Sequence, residues 1–311
     1  MFLIAFCLSG FNSEKYQSYS VCSFIKNKII NIWPMYALSI LLILPLTQLF
    51  NMSLFSPTFF HDISVLILNV SMLQSWIPNM SIVYSYNYVG WFICNYMFLM
   101  LITIPTLKFL KKKIHNLKSI IICMIMVFLL LVLYEQLIEF NHMNSLYWLF
   151  TFPPARVFEY VFSILLGVLI KEISNKKIIK NISTLLYTAF EIGSILILVL
   201  TIYLIDSHPY WSMTIGWIFP ISLIIFSFSF NKGYISKLIS NSFFVFLGSL
   251  TFEAYLLHEV VDRYFYIIPN INNALTYERI LLYFTYILVV TFLLSYIFHF
   301  YFNNKKAKKT R

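Results

Sequence analysis

Residues 108–138 read KFLKKKIHNLKSIIICMIMVFLLLVLYEQLI: a lysine-rich turn, then a predominantly apolar run over 119–138. About 20 apolar residues in helical conformation match the hydrocarbon thickness of a bilayer. A lysine cluster beside such a run marks the cytoplasmic side. The pattern recurs along the chain. Runs of spanning length occupy 29–50, 88–107, 183–205, 211–230, 243–267 and 279–303, and a shorter one at 156–170 is expected to begin slightly earlier. Residues 1–11 read as the end of another span. Residues 64–77 are apolar but short and interrupted by Asn69, Ser71 and Gln74, which predicts a re-entrant or interfacial element. The predicted fold class is all-α: a polytopic integral membrane bundle of about nine crossings plus that element, as a single domain over 1–311.

Composition agrees. Of 311 residues, 60% are hydrophobic and 11% charged, and the mean hydropathy is +0.80. A water-soluble domain of this size cannot hide so much apolar surface. Sparse Gly and Pro exclude collagen-like and disordered classes. The four cysteines, Cys7, Cys22, Cys94 and Cys123, form no CxxC or Cys/His cluster, so neither a metal site nor a disulfide framework is expected. The net charge of +10 sits in short runs between spans, and no nucleic-acid-binding signature accompanies it.

The basic residues orient the map. With 12–28, 108–118, 171–182, 231–242 and 304–311 placed inside, 19 of the 22 Lys and Arg are cytoplasmic, and Arg156, Arg263 and Arg279 are outside. A crossing at 64–77 would invert every later loop. With a cytoplasmic C-terminus, this map puts Met1 outside, so a further helix is expected before it. No signal peptide, appended soluble domain or inverted repeat is apparent.

Ionisable groups inside spans cost roughly 2.5–3.5 kcal/mol each at the helix centre and need a reason. Glu191 lies in 183–205; Glu253, His258, Glu259 and Asp262 lie in 243–267; Arg156 and Glu159 open 156–170. His258 and Asp262, four apart, share a helix face with Tyr255 nearby, and a carboxylate beside an imidazole suits a general base. Taken as one straight helix, 243–267 places His258 roughly 22 Å from its cytoplasmic end, in the same outer third as Arg156 and Glu159. The plainer readings are an interfacial His258 and a local Arg156–Glu159 ion pair. Only 4 of the 22 basic residues are Arg, and 3 of those lie outside, which points to positions needing a planar guanidinium.

Several segments resemble the membrane-bound acyltransferase 3 family, whose members O-acylate cell-surface glycans and other extracytoplasmic acceptors. Phe6–Phe11 (FCLSGF) is similar to its FxLSGF segment, and Lys28–Tyr36 (KIINIWPMY) to its basic R-x-x-R-I-x-P-x-Y stretch. Leu73-Gln74-Ser75-Trp76 with Gly90-Trp91-Phe92 resembles LQSW…W. Arg156–Tyr160 with Gly167 resembles R-x-x-E-F…G, and Leu247–His258 resembles LG-x-x-S-Y-x-x-Y-L-x-H. The matches keep family order from residue 6 to 258. Asn31 replaces the second basic residue of the stretch, and Tyr96 stands where an acidic residue is expected. The family's histidine-bearing first helix is the one the topology places before Met1.

The resemblance implies a membrane O-acyltransferase with no bound cofactor. Its donor is acyl-CoA, acetyl-CoA foremost, and its acceptor is a surface glycan or lipid-linked sugar. The setting implied is a multi-pass protein of a bacterial plasma membrane. His258, Arg156 and Glu159 are the catalytic candidates, and Lys28, Trp91, Tyr255 and Asp262 the substrate-binding ones. The alternative is a non-enzymatic translocator or polymerase of lipid-linked glycan. The charge map makes a direct prediction. In a cysteine-free background, an impermeant thiol reagent added outside modifies Pro57→Cys and spares Ile114→Cys; the reverse pattern inverts the map.

Overall fold

The computed structural model describes residues 5–7, 19–47, 58–114, 116–174, 181–205, 210–266 and 277–309. Position 57, Leu8–Phe11 of the first family segment and Lys15, Lys176, Lys177 and Lys180 lie outside the described residues, as do the side chains of Arg279 and the C-terminal lysines. Among the described residues all regular structure is helical. The helices are α1 (Val21–Ile43), α2 (Phe59–Val70), α3 (Gly90–Lys113), α4 (Leu117–Phe140), α5 (Arg156–Ser174), α6 (Thr184–Ile205), α7 (Ile215–Phe228), α8 (Tyr234–Ile239), α9 (Ser242–Ser249), α10 (Thr251–Tyr266) and α11 (Tyr277–Lys309).

Among the described residues, five segments are by length and composition able to cross a bilayer: Val21–Leu46, Gly90–Lys113, Leu117–Phe140, Thr184–Ile205 and Ile280–Phe302. Their outward faces are greasy. Leu133 of α4, Leu196 of α6 and Leu281 of α11 are 61%, 62% and 68% exposed, a surface that lipid accepts and water does not. The chain is a membrane protein.

Local chemistry sets the helix ends. The α4 start is a capping box: Asn116 Oδ1 accepts from the Ser119 amide at 2.8 Å, and the Asn116 amide donates to the Ser119 hydroxyl. The span expected to begin before residue 156 begins at Arg156 and gains length at its other end, reaching Ser174. Pro153 and Pro154 hold a 3-10 turn just upstream; with no amides to donate to preceding carbonyls, they cannot continue a helix from the N-terminal side and instead lead into α5. The element expected at 64–77 is the 12-residue α2 followed by a 3-10 turn at Gln74–Trp76. At about 18 Å, α2 is too short to span.

The span expected at 243–267 is a bent pair. α9 and α10 meet at 57°. At the joint, Ser249 and Thr251 turn their hydroxyls back onto the Phe246 and Gly248 carbonyls. A straight rise therefore does not measure the depth of His258, which is the eighth residue of α10.

The chain packs as two compact units, each made from two stretches of sequence. One comprises Met1–Lys28 and Cys94–Asn241, the other Ile29–Ile93 and Ser242–Arg311. The first has a core of Leu131, Leu166, Ile170, Ile218 and Ile225 with Phe6, drawn mainly from α4, α5 and α7. The second packs Met35, Tyr36, Ile40 and Ile43 of α1 against Val65, Ile93, Leu256, Leu257 and Val260.

Glu191 now has its reason. It is fully buried in α6, and its Oε2 accepts from the Ile235 and Ser236 amides at 3.1 and 3.4 Å, in the first turn of α8. A carboxylate there satisfies amides that a helix start leaves unpaired and faces the positive end of its dipole. Gly233 is what admits it, because a Cβ at 233 would overlap the Glu191 carboxylate. Gly233→Ala and Glu191→Ala should each cost roughly 1–3 kcal/mol, read as a lower Tm of the purified protein. Because both act through one contact, Gly233→Ala should cost far less in a Glu191→Ala background. Simple additivity of the two would refute the contact.

Candidate functional site

In the second unit, segments far apart in sequence are tied together by one hydroxyl. Tyr36, fully buried in α1, donates to the Asn69 carbonyl at 3.1 Å and accepts from Gln74 Nε2 at 3.0 Å. Gly90, the first residue of α3, lies directly against this pair. A Cβ there would sit 2.9 Å from the Tyr36 hydroxyl and 3.1 Å from Gln74 Nε2. Trp33 Nε1 donates to the Val70 carbonyl at 3.1 Å, and the Ser75 hydroxyl reaches the Trp91 carbonyl at 3.4 Å. The Trp33–Tyr36, Gln74–Trp76 and Gly90–Phe92 stretches therefore form one hub.

α10 joins the hub through its backbone and one tyrosine. Asn87 Nδ2 donates to the Ser39 hydroxyl at 2.9 Å and to the Leu256 carbonyl at 3.0 Å. The Tyr255 hydroxyl donates to the Val89 carbonyl at 3.2 Å. The Tyr255 ring packs against Phe92 at 5.0 Å and His258 at 5.8 Å. His258 is half-buried, with Nδ1 3.3 Å from the Ala254 carbonyl. When Nδ1 carries the proton donated to that carbonyl, Nε2 holds the lone pair that a base needs.

Asp262 lies one turn beyond His258, but its carboxylate accepts from the Tyr283 hydroxyl of α11. No hydrogen bond joins it to His258 among the described residues. The imidazole is thus oriented by a backbone carbonyl rather than by a carboxylate. The neighbouring charges are paired as well. Glu259 and Arg263 meet at 2.7 Å, with the guanidinium 4.6 Å over the Tyr88 ring, and Glu253 meets His299 Nδ1 at 3.0 Å.

Arg156 and Glu159 belong to the first unit. Both are buried, 6% and 8% exposed, and are joined at 2.7 Å. Arg156 Nε donates to the Phe150 carbonyl at 2.8 Å, and the guanidinium lies 4.6 Å from the Phe150 ring centre. Carboxylate, carbonyl and ring hold the fork in one orientation, a set that lysine cannot reproduce. Glu135 of α4 is fully buried nearby, accepts from Thr214 at 2.9 Å and is close enough to Glu159 for their charges to interact. Sequence reasoning passed over Glu135, although a carboxylate inside the 119–138 run met the criterion that singled out Glu191.

Lys28, also in the first unit, places its ammonium 5.3 Å from the Phe24 ring and 5.9 Å from the Tyr96 ring. Tyr96 stands where the family pattern has an acidic residue, and its electron-rich face meets the cation there. Trp91 is half-buried and edge-on to Phe92 at 6.1 Å. Among the described residues no group of three His, Cys, Asp or Glu could hold a metal ion.

The family model described as an acyltransferase domain matches residues 6–300. No curated protein and no solved structure gives a significant match. The hub makes its own prediction. Tyr36→Phe leaves the buried Gln74 amide without its acceptor and should cost roughly 1–3 kcal/mol. Gly90→Ala should lower the Tm at least as much, by forcing the Tyr36 ring out of place. An unchanged Tm in both variants would remove the hub as a structural centre.

Proposed function

The chain belongs to the acyltransferase 3 family, and from that premise we propose that it is a membrane O-acyltransferase moving an acyl group, acetyl foremost, from cytoplasmic acyl-CoA to a hydroxyl of an extracytoplasmic polysaccharide or glycolipid. The family match over 6–300 carries this reading. The topology proposed with it is the charge-derived map of about nine crossings, with a cytoplasmic C-terminus, in a bacterial plasma membrane.

The chemistry asks for a base to accept the acceptor hydroxyl's proton and a positive group to stabilise the oxyanion as the thioester carbonyl is attacked. His258 suits the first role, with Nδ1 directed to the Ala254 carbonyl and Nε2 left for the incoming proton. The hydroxyl oxygen forms the new ester bond, the thioester C–S bond breaks, and the thiolate of coenzyme A departs. Arg156 suits the second role. Glu159 and Phe150 fix the orientation of its guanidinium, so the donors they leave free need little reorganisation. Lys28, with the lysines at 108–113, gives anionic acyl-CoA an electropositive approach on the cytoplasmic side. Trp91 and Tyr255 supply aromatic surface and Asp262 a carboxylate for the substrates.

His258→Ala should insert into membranes normally and lose at least about 100-fold in acylation of the acceptor, the scale of one general base. Arg156→Lys should also impair transfer, because the charge remains while the fork is lost. The measurement is ester formation on the acceptor glycan in vesicles supplied with acetyl-CoA. Normal rates in both variants would remove these residues from the reaction. Glycan movement without ester formation would favour a translocator.

A further inference from the structure

Adjoining the hub at Asn69, the second unit carries a cavity of about 300 Å³, lined by Thr47, His61, Asp62, Ser81, Ser85 and Tyr86 together with the apolar Val65 and Ile82. That is at the lower end of small-molecule sites, roughly 300–1,000 Å³. It belongs to the 51–87 side and the chain beside it, which the lysine pattern assigns to the exterior.

The hydrogen bonding of the lining is one-sided. Each hydroxyl proton is committed to a protein acceptor. Thr47 donates to the Leu44 carbonyl at 2.7 Å, Ser81 to Asn79 Oδ1 at 2.7 Å, Ser85 to the Ile82 carbonyl at 2.7 Å and Tyr86 to the Asp62 carbonyl at 3.0 Å. Burial, and secondarily the Asp62 charge, push the Tyr86 phenol up to about 12, so its proton stays in place. What these groups have left to offer is lone pairs. The Asp62 carboxylate adds more. His61 faces that carboxylate with Nδ1 at 3.2 Å, so when protonated its charge is spent on Asp62. Behind Ser85, the fully buried Asn69 donates Nδ2 to the Ser85 oxygen at 2.7 Å, and its own Oδ1 has no partner among the described residues.

The charge around the cavity points the same way. Residues 29–107 contain no Lys or Arg, and their single acidic residue is Asp62. A lining whose polar groups are mainly acceptors, set beside the apolar Val65 and Ile82, with one carboxylate and no Lys or Arg from this stretch, welcomes hydrogen-bond donors and disfavours anions.

We propose that this cavity binds a sugar unit of the acceptor glycan and selects a hydroxyl-rich neutral or amino sugar over an acidic one. The proposal rests on the acyltransferase reading and adds to it the class of acceptor. A pyranose presents several O–H donors to the Thr47, Ser81 and Tyr86 oxygens and the Asp62 carboxylate. A uronate or sugar phosphate would bring its charge against Asp62 with no Lys or Arg in the lining to offset it.

The test uses the full chain in lipid nanodiscs without any acyl donor. Binding of methyl glucoside, methyl glucosaminide and methyl glucuronide is followed by saturation-transfer NMR at fixed pH and salt. The first two should bind, with the glucuronide weaker by roughly tenfold, the scale of one like-charge contact near a protein surface. Asp62→Asn should bring the glucuronide to within about threefold of the glucoside, taking off most of that tenfold. Ser81→Leu, at an exposed rim position, should weaken all three. Equal binding of glucoside and glucuronide by the unmodified chain, a selectivity that survives Asp62→Asn, or no sugar binding at all would overturn the proposal. Acyl transfer is assayed separately with acetyl-CoA. Asp62-dependent binding without transfer would sink the enzyme reading alone, and transfer without charge selection would sink the subsite alone.

Discussion

A membrane interior offers no water to a stray polar group, so a buried donor or acceptor gains most from a partner inside the protein. The Tyr36 hydroxyl is where that constraint is concentrated. One oxygen serves the end of α2, the turn after it and the start of α3 by donating to Asn69, accepting from Gln74 and abutting Gly90. Asn87 extends the principle from Ser39 to the α10 backbone. Apolar packing around Ile40, Ile43 and Leu257 supplies contact area, but it is non-directional. The register of these segments is set by hydrogen bonds that have no substitute in lipid.

The helical class and the membrane setting were legible because they rest on run length and composition, which survive any detail of packing. The short element near 64–77 was legible for the same reason: Asn69 and Gln74 interrupt the run, and both turn out to be buried hub members. The break between α9 and α10 was not. Hydropathy averages across Gly248–Thr251, and the hydroxyl-to-carbonyl bonds at the joint also occur inside continuous helices, as at Ser194 and Ser295, so no local pattern marks the break. At the site, the Arg156–Glu159 pair followed from spacing alone. The partner of Asp262 did not, because Tyr283 comes from a helix whose packing no local pattern encodes. Glu135 was within reach of sequence reasoning and was overlooked.

The departures from the family pattern are chemically uneven. Asn31 is an exposed residue of α1, so losing a cation there leaves no buried charge unpaired. Tyr96, in place of an acid, presents its ring face to Lys28. Among the described residues Lys28 meets aromatic faces and no carboxylate, which leaves its donors for an anionic partner.

The scarcity of charge between residues 29 and 107 also bears on how the protein is made. A hairpin of two apolar stretches must pass its connecting loop across the bilayer during insertion, and each cation in that loop would oppose the passage. Here the loop side carries one aspartate and no cation. The lysines that oppose transfer stand only at the two feet, at 26 and 28 and at 108–113. On the proposed charge map, such a hairpin enters as a single unit, anchored from both ends, with its orientation set before any of the hub's hydrogen bonds form.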